Sequence, residues 1–283
     1  MAQLLSDEQV CQFHEKGYLF PIDLLSCDEV ATARAKLEAF EKNNGGPING
    51  AARSKTHLLF KWIDDMMRDE RILDIVAQLI GENILCWNTL FWIKEAGSKS
   101  FVSWHQDARY WGLSTNQLVT VWIALSPASE SAGCMRVMPE SHKTSLLDHH
   151  DEYHEDNLLT RGQKISGSID ESKAVSMPLT PGQISLHNVR LAHASGPNTT
   201  DERRIGMSFH YMPTDTRQQL VEWDSAALVR GRDDFNYFTH TPIPEADWPN
   251  GGADDEAANF HQRASDVVRE IVFKDAEARR DTL

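Results

Sequence analysis

Two stretches of this chain carry side chains that can bind a metal ion. Ser103-Trp104-His105-Gln106-Asp107 sets an imidazole and a carboxylate two residues apart. In a strand, residues i and i+2 share a face and lie about 6–7 Å apart, so both can converge on one ion. The segment Gln183–Asn198 adds His187 and His193, and Arg204 follows eleven residues after His193. The intervening loop 195–202 is rich in turn formers, so the chain should double back and bring Arg204 towards the cavity that holds His193. His187 competes with His193 as the distal ligand, and the spacing to Arg204 favours His193. Together His105, Asp107 and His193 make a two-histidine, one-carboxylate set. Such a set leaves three positions of an octahedral ion open, which suits non-haem Fe(II) and O2.

The arginine narrows the chemistry. A 2-oxo acid can chelate two of those positions, and its far carboxylate then needs a planar partner that stays charged, which describes Arg204. The remaining position is left for O2. Oxidative decarboxylation then yields succinate, CO2 and an oxidant able to attack an unactivated C–H bond, while the protein supplies geometry and a dry pocket. The same two histidines and one acid with a bound water would also suit a zinc hydrolase. That alternative leaves Arg204 unexplained and requires no 2-oxoglutarate. A barrel that only binds a ligand is the third reading.

The elements that must hold these residues follow from pattern. Ser6 with Gln9, and Ser26 with Glu29, match capping boxes that open two helices. The first ends near Gly17; the second runs from about Asp28 to Lys42 with Val30, Ala33, Leu37 and Phe40 inward. A third helix fits Asp69 to Leu79, with Ile72, Ile75, Val76 and Leu79 inward and Gly81 as its stop. Residues 84–94, 118–125, 134–138, 183–187 and 205–212 are rich in β-branched and aromatic side chains and read as strands. Helices first and strands after them indicate an α+β fold with an antiparallel sandwich or barrel as its core. Residues 145–172 are polar, acidic and without period, which reads as an active-site lid or a mobile loop. From about Ala253 the chain reads as a charged helix.

Composition sets outer bounds. With 28 Lys+Arg against 42 Asp+Glu among 283 residues, the formal charge is −14. Nucleic acid and anionic membrane need a basic footprint and are excluded as partners. No run approaches 18 apolar residues, and the first residues lack a signal-peptide pattern, so a cytoplasmic protein is expected. Four widely spaced cysteines without a CxxC pair are read as reduced thiols.

The strings WHQDARYWGL, LAHASGPNTTDERR and FWIKEAGSKSF, with SDEQVCQFHEKGYL near the start and LVRGRDDF near residue 235, resemble the phytanoyl-CoA dioxygenase family of Fe(II)/2-oxoglutarate oxygenases. The likeness covers most of the chain. It implies a double-stranded β-helix (jelly-roll, cupin-like) core with N-terminal and flanking helices. On this basis residues 1–283 form one oxygenase domain: a helical N-terminal region over 1–82, a jelly-roll core over 83–215 and an extension over 216–283. It further implies Fe(II), 2-oxoglutarate and O2 as cofactor and co-substrates, His105, Asp107 and His193 as iron ligands, and Arg204 on the co-substrate carboxylate. Lys94, Trp122 and Ser195 fall where the family lines the co-substrate pocket. A halogenating branch carries a small residue in place of the carboxylate ligand, so Asp107 points to hydroxylation.

The substrate expected is a small molecule. A zwitterion such as an aminoalkylphosphonate or an amino acid fits the acidic chain, with an acyl-CoA as the alternative if folding gathers Arg109, Arg190 and Arg230. Arg109, Tyr110, Trp111 and Arg190 are the candidate substrate residues. His142 reads as structural, and His149, His150 and His154 as a solvated polar loop. Arg203 should face away from Arg204, because neighbouring strand residues face opposite sides.

Overall fold

The structure, a computed structural model, describes residues 4–249 and 255–274. Helix α1 (Asp7–Lys16) is capped by Ser6, whose side chain accepts from the Gln9 amide while Gln9 reaches back. Gly17 closes it in the left-handed region (φ 84°), and a Cβ there would lie 2.5 Å from His142 Nδ1. Strand β1 (Tyr18–Asp23) and helix α2 (Cys27–Asn43) follow, then α3 (Lys61–Met67) and α4 (Glu70–Ile80). Both predicted capping boxes are present, and Gly81 ends α4. Ile72, Ile75, Val76 and Leu79 are buried as the periodicity requires. Each such side chain contributes roughly 1.5–3 kcal/mol on full burial, so docking rather than propensity holds this helix.

The strands come next in chain order: β2 (Ile84–Lys94), β3 (Val102–His105), then the one-turn helix α5 (Ala108–Trp111), β4 (Val119–Ala124) and β5 (Met135–Val137). They continue with β6 (His149–Asp151), β7 (Gln163–Ile165), β8 (Val175–Met177), β9 (Gln183–Asn188) and β10 (His193–Ser195). The last are β11 (Arg204–Pro213), β12 (Ser225–Arg230) and β13 (Thr239–His240), before helix α6 (Glu256–Phe273). The start expected for that helix, near Ala253, lies outside the described residues.

Among the described residues, the larger sheet has the order β1-β9-β4-β11-β2-β12-β13 and the smaller β3-β10-β5-β8. The strand period decides which residues go where. Along β11, Ile205, Met207, Phe209 and Tyr211 are packed in the core with α2, α3 and α4. The alternate residues Arg204, Ser208 and His210 line a cavity between the sheets, with Gly206 on the same face. Val121 and Ile123 of β4 likewise enter the core, and Thr120 and Trp122 the cavity. Helices thus cover one face of the larger sheet, and its other face forms one wall of the site.

Three features lie beyond the sequence pattern. Strand β1 follows α1 directly and pairs antiparallel with β9 at the sheet edge. The seven-residue helix α3 has no counterpart in the sequence reading, being too short to establish a period. Residues 145–172, expected as an active-site lid or a mobile loop, carry secondary structure of their own. They contain the β6–β7 ribbon, with Leu159, Gln163 and Ile165 buried, and the Ser103 hydroxyl takes a hydrogen bond from Asn157 at 2.9 Å. Among the described residues no helix is long and apolar enough to cross a membrane, and all four cysteines are free.

Candidate metal centre

His105 and His193 face each other across the β3–β10 ladder as register partners, with ring centroids 4.1 Å apart. Asp107 completes the group: one donor atom from each of the three residues lies within 4.8 Å of the others. All three are buried. Strand geometry, however, does not bring Asp107 there. β3 stops at His105, and Asp107 adopts a helical conformation (φ −57°, ψ −42°) just ahead of α5. A strand-to-helix turn, pinned by the Ala108 amide on Val189 O at 3.0 Å, swings the carboxylate back beside the imidazole.

Backbone carbonyls select the tautomers. His105 Nδ1 donates to Ser103 O and His193 Nδ1 to Leu191 O, both at 2.9 Å. Each ring therefore presents an unprotonated Nε2, the form that coordinates a metal. Burial, then the neighbouring His105, pushes His193 down to about 4, which keeps it neutral at ordinary pH. Burial alone would raise the Asp107 carboxyl, but His193 first and then His105 hold it well below the usual carboxylate range. The Asp107 carboxylate beside the two ring Nε2 atoms makes a donor set that suits a divalent cation.

Gln106, fully buried between His105 and Asp107 in the chain, ties this turn to its surroundings. Its side chain donates to Arg190 O at 2.6 Å and accepts from the Leu147 amide at 2.8 Å, while its own amide donates to His149 Nε2 at 3.1 Å. The residues after β9 and those before β6 are thus fastened to the ligand turn. Outer partners of metal ligands typically govern roughly 10–100-fold in affinity. Gln106→Ala is expected to weaken metal binding by about that factor, read by titration with Co(II); unchanged affinity would show the turn to be self-supporting.

On the opposite wall, Arg204 is 3% exposed and donates through Nη1 to Gly133 O. Its guanidinium sits 5.5 Å from the Trp122 ring centroid, and its buried Nε has no partner. Burial lowers it only to about 10, so it remains charged at ordinary pH. The Trp122 ring can lie there because its neighbour is Gly206, where a Cβ would come within 1.9 Å of it. A buried guanidinium with no carboxylate partner among the described residues suits an anionic ligand. Arg203 faces the other way, as alternation requires, and pairs with Glu41 at 2.8 Å and Glu95 at 2.8 Å.

Lys94 is the register partner of Arg204 on β2 and is 1% exposed. It is not among the lining residues; its Nζ donates to Ser195 Oγ at 2.7 Å and to Gly196 O, behind the wall. Burial, and then Arg204, lowers it from its ordinary 10.5 to about 6. Between those values the unfolded chain binds the proton that the folded chain has released, so folding stability rises with pH through this window. Lys94→Met should remove that rise, checked by urea unfolding of both proteins at several pH values between about 6 and 10.5.

Of the remaining expected residues, Trp122, Ser195 and Trp111 line the cavity. Arg109, Tyr110 and Arg190 are not among its lining residues. The Tyr110 ring instead packs edge-on to His149 at 5.5 Å, and Arg190 Nη2 donates to Thr144 O at 2.7 Å. Arg109 and Tyr110 belong to the α5 turn, and Arg190 lies between β9 and β10. His149 is also not solvated; burial pushes it down to about 4. His142 is structural as expected, its Nε2 donating to His14 O at 3.0 Å. Sequence reasoning missed His210, Thr120 and Ser208, and took His187 only as a rival ligand. All four line the cavity, and His187 Nε2 lies 3.9 Å from Asp107 Oδ2. Only the alternation along β4, β9 and β11 could have exposed them.

Comparison with known proteins agrees with this geometry. The profile of the phytanoyl-CoA dioxygenase family matches residues 13–206, more than half of the chain. The chain belongs to the phytanoyl-CoA dioxygenase family. A Stutzerimonas stutzeri protein described as a probable alpha-ketoglutarate-dependent hypophosphite dioxygenase is 30% identical over 74% of this chain and 79% of its own length. The peroxisomal phytanoyl-CoA dioxygenase of Rattus norvegicus is 24% identical over 78% of this chain and 72% of its own. Among solved structures, the non-heme monooxygenase ThoJ in apo form superposes with a TM-score of 0.79 at 32% identity, covering 93% of this chain and 99% of that one. CytC3 with Fe(II) and alpha-ketoglutarate gives 0.63 at 25% identity, over 84% and 93%. This member of the phytanoyl-CoA dioxygenase family is an Fe(II)- and 2-oxoglutarate-dependent dioxygenase, with O2 as second co-substrate. The zinc-hydrolase and ligand-only readings fall away.

Proposed function

We infer that His105, Asp107 and His193 hold the iron, that Arg204 holds the far carboxylate of 2-oxoglutarate, and that the enzyme hydroxylates an unactivated C–H bond. The observation that carries this is the pairing of a buried three-donor cluster, on the smaller sheet and the turn after β3, with a buried guanidinium on the larger sheet that no carboxylate among the described residues faces, both lining one cavity. We read the two sheets as the faces of a double-stranded β-helix. The iron, with 2-oxoglutarate and O2, supplies the oxidising chemistry: succinate and CO2 are released and one oxygen atom enters the C–H bond. The chain's own task is to hold and orient. The two Nε2 atoms and the Asp107 carboxylate fix the metal, Arg204 sets the co-substrate's direction, and the Trp92, Trp111 and Trp122 rings in the lining keep bulk water back. Asp107 occupies the position where a halogenating relative needs a small residue, which supports hydroxylation.

An acyl-CoA would need a basic strip at the mouth. Arg230, one of its expected members, is taken up by Asp74 at 2.7 Å and Glu82 at 2.8 Å. The anchors expected for a phosphonate or carboxylate, Arg109 and Arg190, do not line the cavity. A small molecule without a bulky polyanionic handle fits best. Protein reconstituted anaerobically with Fe(II), then given 2-oxoglutarate and O2, should release succinate and CO2 even before a substrate is found; zinc-loaded protein should release none. Absence of succinate with iron, ascorbate and a broad panel of small molecules would overturn the assignment.

A further inference from the structure

The registers of the larger sheet place three polar residues in one row on the cavity face. His210 of β11 is the partner of Thr120 of β4, and Thr120 is the partner of His187 of β9. Directly paired residues share a face of the sheet. All three line the cavity, and all are at most 2% exposed. Each keeps a buried polar atom without a partner: His210 Nδ1, Thr120 Oγ1 and His187 Nδ1. Three orphaned groups side by side are expensive to bury, at roughly 1–3 kcal/mol each, unless something else satisfies them. The row lies beside the metal ligands, with the His187 and His193 ring centroids 4.7 Å apart. It is also far from Arg204: six strand residues separate Arg204 from His210, roughly 20 Å along β11. The co-substrate's anchor and this row therefore occupy opposite ends of the cavity.

Ser208 ties the row to its surroundings. The Trp92 indole can only donate, and it donates to Ser208 Oγ at 2.9 Å. Ser208 Oγ and His210 Nε2 share a hydrogen bond at 3.1 Å in which either atom can donate. His210 Nδ1 and the Thr120 hydroxyl can thus each offer a ligand a donor or an acceptor. The Trp111 ring stacks on His210 with centroids 4.4 Å apart, giving an apolar cover to the polar row. Apart from Arg204, no arginine or lysine is among the lining residues. A phosphonate or carboxylate would find no fixed counter-charge here, whereas an amide or hydroxyl oxygen would find its donor.

Resting on the oxygenase reading above, we propose that His210, Thr120 and His187 form the substrate-orienting subsite, which binds an uncharged hydrogen-bonding group of the substrate, an amide carbonyl or hydroxyl, beneath Trp111. The row holds this group at the end opposite Arg204 and so turns the remainder of the molecule towards the metal ligands. They act as specificity-determining residues; the oxidising chemistry is unchanged by which group they select.

The test uses the full chain loaded with Zn(II), which is diamagnetic, and with 2-oxoglutarate. Ring resonances of His187 and His210 are followed by NMR during titration with acetamide, butyramide and N-acetylglycinamide, and with the charged counterparts acetate, butyrate, glycine and 2-aminoethylphosphonate. The amides should shift both histidines saturably, and the charged set should not. Thr120→Val should weaken amide binding about tenfold, the effect of one lost hydrogen bond, while Thr120→Ser restores it. Histidine resonances unmoved by every amide, larger shifts with the charged set, or equal affinity in Thr120→Val would overturn the proposal. The succinate assay with Fe(II) separates this from failure of the oxygenase reading, since it needs no substrate and no subsite.

Discussion

Replacing Asp107 with alanine is expected to abolish metal binding and succinate formation together. The carboxylate is the one charged donor of the cluster, 3.3 Å from His105 Nε2 and 3.9 Å from His193 Nε2. Its loss leaves two neutral imidazoles for a divalent ion. Since outer partners of metal ligands already govern roughly 10–100-fold in affinity, removal of a ligand itself should exceed the upper end of that range. Fe(II) or Co(II) titration reads the affinity, and succinate release reads the turnover. Asp107→Glu keeps the charge but adds a methylene, and should fall between the two. Wild-type metal affinity in Asp107→Ala would show that His187, 3.9 Å from the same carboxylate, had taken up the third position.

Arg204→Met should act on the other half of the site and leave the metal in place. Truncating one partner of a buried charge pair costs about 2–5 kcal/mol, which is roughly 30- to several-thousand-fold in affinity for 2-oxoglutarate. The KM for 2-oxoglutarate should rise accordingly, with Co(II) affinity measured without co-substrate unchanged. Stability offers an independent check. In the protein without co-substrate Arg204 is a buried guanidinium with no carboxylate facing it, and a methionine of similar length carries no such charge. The variant should therefore unfold at an equal or higher denaturant concentration when 2-oxoglutarate is absent, and lose the stabilisation that 2-oxoglutarate gives the wild type. Lysine at this position should not substitute, since it lacks the planar fork.

The His105, Asp107 and His193 cluster and the buried Arg204 are legible in the sequence because they sit in short motifs whose residue types have few other uses, and because strand alternation separates Arg204 from Arg203. The main strands are legible for a related reason. Ile84–Lys94 is long, β-branched and aromatic, and it forms the strand over that same range. The route of Asp107 is not legible: HxD has the spacing of a strand pair, and nothing local says that the strand ends at His105 and a helical turn begins. The row of His210, Thr120 and His187 is hidden for a different reason. Thr120 and His187 are 67 residues apart in the chain, and His187 and His210 are 23 apart. Only knowledge that β11, β4 and β9 are neighbours puts them side by side. The β6–β7 ribbon escapes because its three-residue strands are polar and mostly exposed outside Gln163 and Ile165.

The division of labour between the sheets has a mechanical corollary. His105 and His193 belong to the smaller sheet and Arg204 to the larger, so on the proposed assignment 2-oxoglutarate would be gripped from both walls and brace them. Metal alone would tighten only β3 and β10. Metal with co-substrate should damp opening motions in β10 and β11 in concert, visible as a joint slowing of amide exchange that neither ligand produces by itself.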